Sequence, residues 1–283
     1  MIPSAFEYLR PQTFDDAINL FAQHGENAKI LAGGHSLIPT MKLRLAQPKV
    51  LIDLGRIADL NYIREQDGKI AVGAMATHHQ IETSELLREK CPLLCEVAPQ
   101  IGDVQVRNRG TIGGSLAHAD PAADWPAAIL ALDAELEVAG PDGARVIQAK
   151  KFFVDLFQTA LKPNELLREI RLPATSKAVA YVKFAQRASG FAIAGAAVVI
   201  RPESKAVGIG ITGVAAKAYR ATASEKKLEG QPLASENIAA AADKASNRVE
   251  ALNDIHASAD FRKHLARVNT KRALELAAAR AER

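Results

Sequence analysis

The chain has 283 residues, 48% of them hydrophobic and 24% charged, with a formal net charge of +4. That length buries a sizeable core and favours two domains over one, and the small charge, its basic residues scattered among acidic ones apart from the Arg107 and Arg109 pair, argues against a nucleic-acid partner. No apolar run is long enough to cross a bilayer, and residues 1–7 lack the basic and apolar regions of a signal peptide, so a cytoplasmic location is expected.

In chain order, Thr13 precedes apolar residues at helical spacing and Gly25 stops the pattern, which predicts a short amphipathic helix. Residues 29–32 read as a buried strand leading into Gly33 and Gly34, and 49–54 as another, so the opening is a β-α-β type unit. Residues 62–65 and 69–73 flank an Asp67-Gly68 turn and predict a hairpin. A helical pattern over 83–100 is divided in two at Cys91 and Pro92. Residues 125–132 predict a helix with Asp124 as its acidic cap, and 134–139 alternate as a strand before the turn at Pro141-Asp142-Gly143. A strand over 165–173 ends at the small, polar stretch 174–177, a domain boundary. Beyond it, strands over 178–184, 192–200 and 207–214 precede alanine-rich helices after Ser235 and Asp260. That order suggests a small α+β domain with its helices packed on one sheet face.

The only cysteines, Cys91 and Cys95, are spaced i, i+4, so one helical face could hold both. Two thiols complete no four-cysteine iron–sulfur or zinc site, and reduced, half-buried cysteines are the expected state. His78, His79 and His118 make no ligand spacing and read as exposed or hydrogen-bonded, so no metal site is expected. No nucleophile or acid/base dyad stands out either.

The most informative features are two diglycine turns, Gly33-Gly34 and Gly113-Gly114. Glycine allows left-handed turns and close backbone approach, and each turn can aim a cluster of N–H groups at an anion. Neither turn supplies the Gly-x-Gly-x-x-Gly fingerprint, and there is no Walker sequence. Two separate loops whose N–H groups converge can nevertheless hold a pyrophosphate. Taken singly, each turn is more often structural than functional.

Ala32-Gly33-Gly34-His35-Ser36-Leu37-Ile38-Pro39 with Met41-Lys42, and Arg109-Gly110-Thr111-Ile112-Gly113-Gly114-Ser115 with Asp120-Pro121 and Asp124, together resemble the paired FAD loops of one family. It is the FAD-binding medium subunit of the molybdenum hydroxylases, the xanthine dehydrogenase and aerobic carbon monoxide dehydrogenase family, with the carbon monoxide dehydrogenase medium subunit as the nearest likeness. The resemblance runs nearly end to end. It implies an α+β chain in which a two-subdomain FAD-binding domain of the vanillyl-alcohol-oxidase (PCMH) type occupies residues 1–174, with subdomains of about 1–55 and 56–174. A C-terminal α+β domain, with a small antiparallel sheet and helices, follows over 175–283.

Position by position, the resemblance implies that Ala32, Gly33, Gly34, His35, Ser36 and Leu37 wrap the FAD pyrophosphate while Thr111, Gly114 and Ser115 close it from the other side. Asp124 would accept hydrogen bonds from ribose hydroxyls of the adenosine, and Asp120 would either join it or only shape its turn. Lys183 would lie at the polar edge of the isoalloxazine, Leu161 would form an apolar wall, and Phe191 would stack beside the ring. Many relatives carry Asn at the position of Ser115, so a hydroxyl replaces an amide. Phe191 stands where a close relative carries Tyr, which keeps stacking and removes a hydrogen bond. The implied FAD is non-covalent, although some oxidases of the same fold attach flavin through a histidine placed as His35 is.

The implied role is that of an oxidoreductase subunit without catalytic side chains of its own. A large subunit with the molybdenum cofactor would oxidise the substrate, and a small subunit would carry the electrons through [2Fe-2S] clusters. FAD on this chain would then pass them to an external acceptor. The complex would be a dimer of heterotrimers, a heterohexamer, either free in the cytoplasm or peripheral to the inner membrane. A self-sufficient FAD-dependent oxidoreductase of the same fold, and a scaffold that has lost FAD, are the competing readings.

Overall fold

The computed structural model describes residues 2–201, 203–204 and 206–281. Strand β1 (Glu7–Leu9), helix α1 (Phe14–His24), β2 (Ala28–Leu31), α2 (Leu37–Lys42) and β3 (Val50–Asp53) make the first unit, with a parallel sheet in the order β1-β3-β2. Thr13 caps α1 by accepting the Asp16 N–H at 3.1 Å, and Gly25 ends it at φ +50°. The α1 face formed by Phe14, Ala17 and Ile18 shares a core with Val50 and Ile52 of β3. This is the β-α-β unit read from the pattern, with β1 added as an edge strand too short to show alternation.

Strands β4 (Ile63–Gln66) and β5 (Lys69–Gly73) form the predicted hairpin across Asp67-Gly68. Six short helices follow: α3 (His78–Thr83), α4 (Glu85–Lys90), α5 (Pro92–Val97), α6 (Val104–Arg109), α7 (Ile112–His118) and α8 (Trp125–Ala131). The helical stretch expected from residue 83 begins five residues earlier, because Thr77 and Gln80 form a reciprocal capping box at the start of α3. It then breaks twice, at the Ser84 cap of α4 and before Pro92 at the start of α5. Cys91 sits in the second break at φ −151°, so it and Cys95 do not share one helix. Both thiols are free, and burial pushes that of Cys91 up to about 12. The acidic cap expected for α8 is also corrected, since Asp124 has helical dihedrals and accepts no N–H from that helix.

Strands β6 (Glu135–Gly140) and β7 (Gly143–Gln148), helix α9 (Ala149–Phe152), a small hairpin of β8 (Phe153–Asp155) and β9 (Gln158–Thr159), and β10 (Leu166–Pro173) complete this part. The long strand β10 runs antiparallel between β5 and β6, which gives a five-stranded sheet in the order β4-β5-β10-β6-β7.

The remaining strands, β11 (Val179–Ala185), β12 (Ala192–Arg201), β13 (Ala206–Thr212) and β14 (Tyr219–Arg220), form an antiparallel sheet in chain order. Helices α10 (Thr222–Leu228), α11 (Ser235–Ala242) and α12 (Ala259–Ala281) follow, and their apolar faces share a core with alternate residues of the strands, among them Ala194, Ala196 and Val198. The opposite sheet face does not meet solvent. Val179, Tyr181, Ala197 and Val199 pack into the core that holds Trp125, Ala128 and Leu132, so α8 and α5 cover this side. Gly208 and Gly210 make the approach possible, because a Cβ on either would overlap the carbonyl oxygen of Ala131 or Ala127 in α8. Among the described residues no helix is long and apolar enough to cross a membrane.

A branched side chain at position 210 must push β13 away from α8, and overpacking of this kind costs about 1–3 kcal/mol. The melting temperature of Gly210→Val, followed by calorimetry, should therefore fall by roughly 2–12 °C. An unchanged value would mean that the strand and helix are not in contact.

Candidate functional site

The two diglycine motifs meet in space. A Cβ on Gly33 would overlap the Arg109 carbonyl oxygen and stand 2.6 Å from the Gly110 Cα, while one on Gly114 would stand 3.2 Å from the Ala32 Cβ. Gly113 packs equally closely on Ala74. Of these glycines only Gly34 has a left-handed conformation, at φ +80°. The others are required by the close approach of backbones rather than by turn geometry.

The two motifs differ in what they can offer an anion. In the first, the N–H groups of Gly33, Gly34, His35 and Ser36 donate to no acceptor among the described residues, and the chain then turns into α2. In the second, every N–H from 112 to 115 is engaged. Ile112 donates to Ala76 O at 3.0 Å, Gly113 to Ala74 O at 2.9 Å, Gly114 to Thr111 Oγ1 at 3.1 Å and Ser115 to Thr111 O at 3.1 Å. The expectation of two converging N–H clusters is thus corrected on one side. The second motif is a helix start docked on residues 74–77, and the polar groups it has left are the hydroxyls of Thr111 and Ser115.

Between the motifs and the turn joining β11 to β12 lies a cavity of about 560 Å³, within the range of small-molecule and cofactor sites. Ala32, Gly33, Gly34, His35, Ser36, Leu37, Thr111, Gly114, Ser115, Asp120, Asp124, Leu161 and Phe191 all line it; Lys183 does not. Asp120 also shapes its own turn by accepting the Ala122 N–H at 2.8 Å. Phe191 is half-exposed at the end of the turn joining β11 to β12, where Gly190 has φ +73° and Lys183 reaches its carbonyl.

Lys183 is buried and fully bonded: its ammonium donates to Gln100 O at 2.6 Å, Gly190 O at 2.8 Å and Asp124 Oδ2 at 3.0 Å. An ammonium has three donors, so none remains for a ligand. In this structure the ammonium therefore ties Gln100, Gly190 and Asp124 together as a staple. Asp124 also accepts the Tyr181 hydroxyl, and burial raises its pKa while Lys183 and Tyr181 pull it back. The ion pair brings together Asp124, expected at the adenosine ribose, and Lys183, expected at the flavin ring. Through Lys183, which also holds Gly190 O, Asp124 is tied to the turn that carries Phe191.

The structure adds lining residues that pattern reading missed. Ile101 and Gly102 precede α6, Ser189 and Gly190 precede Phe191, and Glu165, Leu166 and Leu167 lie beside Leu161. His78 is buried against the cavity and accepts the Trp125 Nε1–H at 3.0 Å. The signal available for it was the Thr77 and Gln80 capping box, which places a histidine at the first position of a helix. His118 also lines the cavity, with its ring packed on Phe157 at 5.1 Å.

Residues 4–175 match the FAD binding domain in molybdopterin dehydrogenase, and residues 179–277 match the CO dehydrogenase flavoprotein C-terminal domain. The carbon monoxide dehydrogenase medium chain of Hydrogenophaga pseudoflava is 42% identical over 285 residues, covering 99% of both chains. The 6-hydroxypseudooxynicotine dehydrogenase complex subunit alpha of Paenarthrobacter nicotinovorans is 36% identical, over 99% of this chain and 97% of its own. A solved structure of carbon monoxide dehydrogenase from Hydrogenophaga pseudoflava contains a chain that superimposes with a TM-score of 0.95 at 43% identity, covering 99% of each.

Two substitutions separate the parts of the site. Gly33→Ala wedges the two loops apart, and FAD bound per chain, measured by absorbance after gel filtration, should drop at least about tenfold, the effect of losing one or more charge-assisted hydrogen bonds. Lys183→Met leaves Asp124 buried without its cation, which costs about 3–5 kcal/mol and should show as a large fall in melting temperature. A stable Lys183→Met protein whose only change is a shifted flavin potential would instead mean that the ammonium faces the flavin.

Proposed function

The chain belongs to the FAD-binding medium subunits of the molybdenum hydroxylase family, oxidoreductase components related to those of carbon monoxide dehydrogenase, and from that membership we propose that it is an electron-transfer subunit. Electrons would reach it from [2Fe-2S] clusters on a small partner subunit, after a large subunit carrying the molybdenum cofactor has oxidised the substrate. They would leave to an external acceptor. The proposed assembly is a dimer of heterotrimers, and the proposed place, from composition, is the cytoplasm.

The observation that carries this reading is the row of open N–H groups from Gly33 to Ser36 facing a cavity whose far side bears the Thr111 and Ser115 hydroxyls. Such a row suits a pyrophosphate, because backbone donors carry partial positive charge and need no reorganisation to meet an anion. Bound FAD would supply an electron store that exchanges one or two electrons. The chain's own residues would do the rest. The first loop grips the phosphates, Leu161, Leu166 and Leu167 keep one wall dry, and Phe191 covers the ring end by stacking, without the hydroxyl that a tyrosine would bring. Asp124 and Lys183 hold the turn that carries Phe191.

Substrate choice is assigned to the large subunit. Two relatives named for quite different substrates, carbon monoxide and 6-hydroxypseudooxynicotine, align with this chain over nearly its whole length, which supports a common role apart from substrate recognition. Attachment of FAD is proposed to be non-covalent, with His35 serving as a loop residue beside the cavity.

The protein alone should take up FAD and be reduced by dithionite, but not by carbon monoxide, an aldehyde or an N-heterocycle supplied without partner subunits. Acid precipitation should leave the yellow colour in the supernatant. Flavin reduction by one of those substrates in the isolated chain would overturn the electron-transfer reading, and colour retained in the pellet would overturn the non-covalent one.

A further inference from the structure

His78 is 4% exposed, yet it is not a satisfied core histidine. Its Nδ1 accepts the indole N–H of the fully buried Trp125 at 3.0 Å, and their ring centroids are 5.7 Å apart. An indole nitrogen can only donate, so Nδ1 carries no proton and the neutral ring must carry it on Nε2. No described residue accepts that Nε2–H. The atom stands at the seam of the two loops, where a Cβ on Gly110 would lie 2.7 Å from it, and both residues line the cavity. The His78 backbone N–H donates to Gly110 O at 2.9 Å, which fixes the ring against this turn.

We propose that His78 is a positioning residue for the cofactor, its Nε2–H donating to a phosphate oxygen of FAD where the two glycine loops meet, with Trp125 holding the ring in the tautomer that can do so. The inference rests on the FAD reading above. The donor remains uncharged at neutral pH: burial, then the neighbouring His35 and Arg107, push the imidazole down to about 4, and Arg107 is itself tied to Glu82 at 2.8 Å. His78 also occupies the first position of α3, where the helix dipole disfavours a cation. Protonation would in addition displace the Trp125 donor from Nδ1. Gly110 has its own part here, since any side chain at that position would lie against the ring.

The test is titration of FAD, and separately of ADP as a fragment that keeps the pyrophosphate, into the deflavinated complex. His78→Gln can accept from Trp125 and donate to the cavity, and it should bind both within about threefold of wild type. His78→Leu leaves the indole N–H unpaired and risks the fold, so it is placed in a Trp125→Phe background and compared with Trp125→Phe alone. The added His78→Leu change should weaken FAD and ADP alike by about 10- to 100-fold, the loss of one hydrogen bond to a charged acceptor. Equal affinity in those two variants, a Gln variant as weak as the Leu one, or a loss seen with FAD but not with ADP would each overturn the proposal. A wild-type complex that takes up no FAD would overturn the reading beneath it instead.

Discussion

Gly33 lies so close to the Arg109 carbonyl and the Gly110 Cα that no side chain fits between them, and this meeting of backbones sets where the other polar groups of the cavity stand. It joins the end of β2 to the turn between α6 and α7. That turn is in its turn pinned to residues 74–78, through Ile112 and Gly113 donating to Ala76 and Ala74 and through His78 donating to Gly110. One side of the seam is held by hydrogen bonds and tight packing, while the other side, Gly33 to Ser36, keeps its donors free. The two motifs look alike in sequence and divide the work unequally: the second is the anvil on which the first is shaped. A ligand anion meeting the first loop therefore finds N–H groups whose positions are fixed by contacts behind them, which is the condition for strong binding without reorganisation.

A buried charge pair performs the equivalent task at the other end of the cavity. Desolvation offsets much of the attraction between Asp124 and Lys183, so the pair is weak evidence for net stability. Its consequence is geometric. The ammonium also holds the carbonyls of Gln100 and Gly190, so three segments distant in sequence converge on one atom. Tyr181, two residues from Lys183 on the strand, bonds the same carboxylate and lies against Glu96 through its N–H at 2.9 Å. The C-terminal sheet consequently reaches the cavity through the turn between β11 and β12, whose residues Ser189, Gly190 and Phe191 line it. The glycines of β13 that let α8 lie directly on the strand serve the same end.

Most of the sheet and helix elements were legible because their signals are local. Thr13 and Gly25 bound α1, Asp67-Gly68 marks the hairpin, and the apolar runs of β12 and β13 are interrupted by glycine and carry the β-branched residues that favour strands. Among the elements that escaped, β1, β8, β9 and β14 have two or three residues each and owe their existence to a partner strand or neighbouring turn, β7 has six, and the helices α2, α6, α7, α9 and α10 have four to seven, too few for a helical period to show. The same division runs through the site. Glycines at a loop are visible in sequence, and those of both motifs do line the cavity. Which N–H groups remain open is not visible, because it depends on Ala74 and Ala76, some 40 residues before the second motif. Lys183 and Asp124 could be named only singly. That they pair with each other is a fact of tertiary structure.

The chemistry of the cavity follows from what its polar groups are. Backbone N–H groups and hydroxyls do not titrate near neutrality and His78 is held neutral by burial and by its Trp125 donor, while Lys29, His35, Asp120 and Glu165 bring ionisable side chains to the same walls. The carboxylate and ammonium nearest the Phe191 end are 3.0 Å apart and present a dipole rather than a net charge. The open N–H row of the first loop offers an anion oriented dipoles, which retain their strength across the physiological pH range and in an apolar setting act with less screening than in water. A flavin held this way would have its phosphates gripped by fixed donors while its ring faces aliphatic walls, an aromatic cover and a compensated ion pair. Phe191, 45% exposed, stands where the cavity wall meets solvent.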